Sequence, residues 1–140
     1  MSDTTLEGGC LCGHIRFRTT GSPYAVNHCH CEQCRRYTGA IYATGVAYSA
    51  ENITWLHGEP TIYLATDTSI SGRSFCPKCG SSIADHWLDD SIWLYIGTLD
   101  NPELVTPRNH TFIEEKIPWV HVDDGLPRYY KSSSGDREND

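Results

Sequence analysis

Seven cysteines fall in three tight clusters along a 140-residue chain, and their spacing limits what the chain can fold into more than any other feature. The clusters are GGCLCG with Cys10 and Cys12, HCHCEQC with Cys29, Cys31 and Cys34, and CPKCG with Cys76 and Cys79. An odd number of thiols cannot all pair with one another. The opening MSDTTLEGG is polar and lacks the basic segment and apolar run of a secretory signal. The expected compartment is therefore the cytosol, where disulfides are disfavoured. In a reducing compartment, clustered cysteines read first as metal ligands.

Each cluster constrains the next. Two cysteines separated by two residues, as in CPKCG, can both point at one ion, and Gly80 permits the left-handed backbone that turns amides toward the sulfurs. The alternative is a thioredoxin-like redox pair, which needs a strand–motif–helix context; this motif sits among strand signals. Cys10 and Cys12 share one face of an extended chain, although alone they also read as two small buried hydrophobes. Two thiols cannot complete a tetrahedron. If Cys10, Cys12, Cys76 and Cys79 close one structural zinc site, Cys29, Cys31 and Cys34 remain whole, as three corners of a second site with one position free for an exogenous ligand. Other partitions split a local chelate or strand single cysteines. His28 or His30 could close the second site, but on an extended segment both point away from the face that carries Cys29 and Cys31. Three free thiols this close would be prone to oxidation.

An open three-thiolate zinc is a poor Lewis acid but a good binder of a fourth soft ligand such as a thiol, whose pKa it lowers. The chemistry expected of it is thiol addition or elimination at a small electrophile. Arg35 and Arg36 follow Cys34 at the start of an expected helix, where they could pair with the carboxylates of an anionic thiol. The alternative is a pair of solvated surface arginines.

The rest of the chain reads as one β domain. Eleven basic residues against eighteen acidic ones, a formal charge of −7, leave no electrostatic footprint for nucleic acid or anionic membrane. No apolar run approaches membrane-spanning length. HIRFRTT, residues 14–20, alternates, with Ile15 and Phe17 on one face and His14, Arg16 and Arg18 on the other. AIYATGVAY, ITWLHG, TIYLAT, GRSFC and SIWLYIG are short and rich in β-branched or aromatic residues. The helix signals are EQCRRYTG, stopped by Gly39, and a single turn at LDNPEL with Asp100 as cap. The pattern predicts an all-β fold of small packed antiparallel sheets with one or two short helical turns. Residues 1–130 form the domain and the polar segment 131–140 a disordered tail.

C-x-C-G near the N-terminus, C-x-C-x-x-C-R followed by Gly39-Ala40, and F-C-x-x-C-G-S together resemble the glutathione-dependent formaldehyde-activating enzyme family, which includes centromere protein V-like proteins. GTLDNPELVTPRNHTF and KIPWVHVDDGLPRY are similar to the C-terminal half of that family. The resemblance runs over roughly residues 6–130. It implies a β-tent (Mss-four-like) fold and two zinc ions per chain, with Cys10, Cys12, Cys76 and Cys79 holding a structural zinc and Cys29, Cys31 and Cys34 a catalytic one. It implies a small-molecule thiol, glutathione or similar, as partner. The implied activity is that of a carbon–sulfur lyase condensing formaldehyde with glutathione to S-(hydroxymethyl)glutathione. Two other functions use the same residues: a non-catalytic zinc-stabilised β domain that binds a protein partner, and a thiol or metal sensor. The intact three-cysteine cluster favours the enzyme, because a scaffold needs only the four-cysteine site.

Overall fold

The alternation of HIRFRTT becomes strand β2 (Arg16–Thr19), with Ile15, Phe17 and Thr19 buried and Arg18 exposed. The structure is a computed structural model that describes residues 4–64 and 70–138. Two compact units divide the chain: Met1–Ala25 with Val46–Val105, and Val26–Gly45 with Thr106–Asp140.

In the first unit, β2 is the middle of a three-stranded antiparallel sheet between β1 (Glu7–Gly9) and β5 (Ile53–His57). Phe17 is opposite Gly8 on one side and Trp55 on the other, and it meets the Trp55 ring edge-on at 5.8 Å. Successive antiparallel pairings join β6 (Thr61–Tyr63), β7 (Ile70–Phe75), β8 (Ser82–Trp87) and β9 (Ser91–Tyr95). Every residue of β9 is buried, which is why SIWLY reads as an apolar run rather than an alternation. The last two residues of TIYLAT lie outside the described residues.

A buried polar clamp fixes the register of three of these strands. Arg73 of β7 donates to Asp85 Oδ1 of β8 at 3.0 Å and to the Tyr95 hydroxyl of β9 at 3.0 Å, and that hydroxyl donates to the same carboxylate oxygen. Arg73 is 5% exposed and Asp85 1%, so the charges are desolvated and depend on one another. The clamp holds β7 two residues before its end at Phe75, immediately ahead of Cys76.

In the second unit, β3 (Ala25–Cys29) pairs in parallel with β10 (Asn109–Thr111), in the register His28 to His110 and Cys29 to Thr111. The only α-helix among the described residues, α1 (Glu32–Thr38), follows β3 directly, and β4 (Ala43–Ser49) then runs on into the first unit. The architecture is all-β, as the sequence pattern predicts. Short 3-10 turns stand at Ala50–Asn52, Ile96–Thr98, Pro102–Leu104 and Ile113–Glu115.

One local expectation is corrected. Asp100 does not cap the LDNPEL turn: Asn101 stands at the cap without a side-chain bond, and Asp100 instead forms a two-oxygen pair with Arg16. A guanidinium fork satisfies a carboxylate better than one turn of amides does. In the described part of the polar segment 131–140 the backbone and side chains make contacts. Tyr129 bridges Arg137, the Tyr130 amide donates to the Asp136 carbonyl at 3.0 Å, and Arg128 pairs with Glu138 at 2.6 Å. Polar side chains do not prevent a backbone from pairing when the neighbouring chain offers partners. Among the described residues, no helix is long and apolar enough to cross a membrane.

Phe17 is fully buried, so its truncation leaves a cavity in the first unit. Phe17→Ala is expected to lower the unfolding free energy of the metal-loaded chain by about 3–5 kcal/mol. Denaturant titration followed by tryptophan fluorescence measures this.

Candidate metal centres

Cys10 and Cys12 lie just after β1, and Cys76 and Cys79 just after β7, so two strand ends present two thiols each. Their four sulfurs lie within 4.8 Å of one another. The Cys10–Cys12 pair is 3.7 Å apart and the Cys12–Cys76 pair 3.8 Å, across a sequence separation of 64 in the second case. Sulfurs about 2.3 Å from a central zinc stand about 3.8 Å apart at the corners of a tetrahedron. The donor set and its spacing therefore fit zinc.

The turns that carry these cysteines aim amides at the sulfurs. The Ile15 amide donates to Cys10 Sγ at 3.2 Å, and the amides of Lys78 and Cys79 donate to Cys76 Sγ at 3.3 and 3.4 Å. Gly80, with φ +78°, closes the second turn by donating its amide to the Cys76 carbonyl at 2.9 Å. Few other residues tolerate that conformation. The Ser81 hydroxyl stands 3.1 Å from Cys79 Sγ and accepts the Leu11 amide at 3.0 Å, linking the two turns. The Ser81 hydroxyl, the Ser81 amide and the Cys12 amide together hold the Cys79 thiol down at about 5.

Cys29, Cys31 and Cys34 form a second group with sulfurs within 4.8 Å of one another. Cys29 ends β3, Cys31 is the N-cap of α1, and Cys34 lies in the first turn. As cap, Cys31 Sγ accepts the Cys34 amide at 3.3 Å, so the positive end of the helix faces the sulfurs. Glu115 Oε1 accepts the Glu32 amide at 2.9 Å and completes the capping from a distant segment. Without an ion, Cys31 pushes the Cys29 thiol up to about 12, and Cys29 and Cys31 push the buried Cys34 thiol up as well. Three sulfurs this close cannot all ionise unless a cation is among them.

No imidazole belongs to this three-sulfur group. His28 joins His110 and Asp124 in a third group of donor atoms within 4.8 Å of one another. Its geometry is that of a hydrogen-bond network. The His28 and His110 rings stack at 4.5 Å with 25° between their planes. His28 Nδ1 bonds to the Thr44 hydroxyl at 2.7 Å, His30 Nε2 to His110 Nδ1 at 2.9 Å, and His110 Nε2 to Asp124 Oδ2 at 2.7 Å. Burial and the nearby His110 push His28 and His30 down to about 4. Burial pushes the Asp124 carboxyl up, but the His110 bond and the Leu126 amide outweigh it, and the net shift is down. Sequence spacing cannot find His110 or Asp124 as partners of His28 and His30. The only signal is their place in the NHTF and VDDGLP segments.

The two arginines differ in place and surroundings. Both fall in the last turn of α1 rather than at its start. Arg36 is 79% exposed and pairs with Glu32 one turn back at 2.9 Å. Arg35 is half-buried and forms no ion pair among the described residues; one of its terminal nitrogens donates to the Glu115 carbonyl at 3.4 Å.

Comparison with known proteins places these features. The family model described as "glutathione-dependent formaldehyde-activating enzyme" matches residues 5–115. A Halomonas elongata protein provisionally named for the same activity is 33% identical over 139 residues, spanning 84% of this chain and 81% of that protein. A crystal structure of a Rhodobacter sphaeroides protein shares the fold with a TM-score of 0.56 at 20% identity, covering 73% of this chain and 92% of that one.

Zinc analysis of the chain is expected to find two ions that respond differently to a chelator. The ion among Cys10, Cys12, Cys76 and Cys79 leaves last, because its ligands come from separated segments. The ion among Cys29, Cys31 and Cys34 leaves first, because one corner is exchangeable. Cys79→Ser should unfold the first unit, since a structural zinc contributes folding free energy directly. Cys31→Ser should remove one ion and leave the fold. Circular dichroism beside metal counting separates these outcomes; equal unfolding in both variants contradicts the division.

Proposed function

Since the chain belongs to the glutathione-dependent formaldehyde-activating enzyme family, we propose that it is a zinc-dependent carbon–sulfur lyase joining glutathione, or a similar thiol, to a small carbonyl compound. The observation that carries this reading is the group of Cys29, Cys31 and Cys34, which supplies three thiols and, among the described residues, no fourth His, Cys, Asp or Glu donor. Cys29, Cys31 and Cys34 would hold the zinc, which when bound would lower the pKa of an incoming thiol and so favour the nucleophilic thiolate. In the net reaction the thiol sulfur bonds to the carbonyl carbon and the thiol proton ends on the carbonyl oxygen; the reverse direction releases both. Cys10, Cys12, Cys76 and Cys79 hold a second zinc with a structural role. None of the seven cysteines is in a disulfide, which suits a reducing compartment, and the reading includes the cytosol.

Arg35 supplies the charge that retains an anionic thiol. The chain carries a formal charge of −7, so long-range steering opposes a glutathione anion and local positive charge must offset it. Arg36 already has a carboxylate partner in Glu32, whereas Arg35, next to Cys34, has none among the described residues. A charge-assisted pair with a substrate carboxylate is available to Arg35 without breaking an existing one.

Calorimetry with glutathione tests the reading. The parent with both zinc ions should bind glutathione. Arg35→Ala should weaken binding about tenfold to a hundredfold, and Arg36→Ala by less than about threefold, as for an exposed pair. A metal-loaded parent that binds no thiol overturns the lyase reading. Equal losses in the two variants overturn the assignment to Arg35.

A further inference from the structure

Behind the cysteines of the second unit is a chain of polar side chains that the proposed reaction does not use. His30 stands between Cys29 and Cys31 with its ring fully buried. It bonds to His110, which is 1% exposed, and His110 bonds to Asp124, whose side chain is 41% exposed. A carboxylate can only accept a hydrogen bond, so His110 carries a proton on Nε2 and offers Nδ1 to the Nε2–H of His30. One carboxylate at the surface thereby sets the tautomers of two buried rings.

The ends of this chain are themselves anchored. The Leu126 amide donates to the other Asp124 oxygen at 3.1 Å, which presets the carboxylate. The His110 amide donates to the Pro127 carbonyl at 2.9 Å, and the Tyr129 amide to the His110 carbonyl at 2.8 Å. On the cysteine side, Thr111 holds both neighbours of Cys29: its hydroxyl donates to the His28 carbonyl at 3.1 Å and its carbonyl accepts the His30 amide at 3.0 Å. The segment carrying Cys29 is thus fixed by its backbone from β10 and by the buried His30 side chain from His110, which Asp124 holds in turn.

We propose that the Asp124–His110–His30 chain is the support that sets the three-sulfur centre, and that Asp124 is a positioning residue for whatever that centre binds. The inference rests on the reading of Cys29, Cys31 and Cys34 as a metal centre and extends it to a residue 90 positions beyond Cys34. Outer hydrogen-bond partners orient metal ligands, and their loss typically weakens metal binding tenfold to a hundredfold. Asp124 acts through the imidazoles and touches no cysteine.

The test uses the whole metal-loaded chain with Asp124→Ala, Asp124→Glu and the control Asp123→Ala, which removes an adjacent exposed carboxylate. Competition with a chromogenic chelator measures each zinc ion separately, and cobalt substitution reports the sulfur-to-metal charge-transfer bands. In Asp124→Ala the labile ion should bind about tenfold or more weakly, its cobalt spectrum should shift, and the tighter ion should be unchanged. Asp124→Glu should recover part of the affinity, and Asp123→Ala should match the parent. Unchanged release of the labile ion in Asp124→Ala overturns the proposal. Equal weakening of both ions with a lowered melting temperature also overturns it, because that is a general loss of stability. A parent that holds only one ion overturns this proposal and the lyase reading together. A parent that holds two ions yet binds no thiol overturns the lyase reading alone, and the metal-release result then decides the support by itself.

Discussion

Sulfurs brought to about the edge length of a zinc tetrahedron are the constraint that organises this protein. At 3.7–3.8 Å, thiolates repel one another, so a cluster is stable only with a cation among them or with protons left on. The first unit meets this with two turns from distant segments. Each aims amides at its own sulfurs, and Ser81 ties them together through Leu11 and Cys79. The strands leading into the turns must arrive in register. The Arg73–Asp85–Tyr95 clamp and the packing of Phe17 between Gly8 and Trp55 serve that end.

The second unit meets the same constraint within one short segment. A strand end, an N-cap and the first turn of a helix supply the three sulfurs, so convergence costs little loop-closure entropy. Helix geometry also explains the count. Cys31 and Cys34 are three apart, which places them one turn from each other, and Cys29 joins from the strand. A fourth donor would have to come from elsewhere, and the nearby imidazoles are engaged with Thr44, His110 and Asp124. The contrast between a closed set of four and an open set of three is the physical basis for the proposal that one serves stability and the other chemistry.

Buried charge is handled in two ways. Arg73 and Asp85 are both nearly inaccessible and satisfy each other, a structural use of ionised groups. His28 and His30 are kept neutral by burial, and the Asp124 carboxylate that bonds to His110 is left at the surface where water stabilises it. Arg35 and Arg36, adjacent in sequence, diverge for a similar reason. One helical step carries Arg36 out to solvent and to Glu32, and leaves Arg35 half-buried beneath the Glu115 carbonyl.

The sequence alone determined the features whose physics is local. Cys-x-Cys and Cys-x-x-Cys spacings read as chelates because a few residues of backbone fix where their sulfurs can point. The alternation around Phe17 reads as a half-buried strand because side chains in a strand have period two. The clustering of the seven cysteines is likewise local, and their partition into four and three is the reading that the sulfur distances support. The tertiary structure decided what depends on partners far along the chain. Asp100 serves Arg16 and not its own turn, the tail pairs back through Tyr129 and Arg137, and α1 is capped by Glu115. The union of His30 with His110 and Asp124 is the clearest case: spacings of 80 and 14 residues carry no periodic signal, and only parallel pairing of β10 with β3 brings those rings together. Hydrogen bonds and ion pairs reach about 3 Å, so their partners are set by where the folded backbone places them and not by their distance along the sequence.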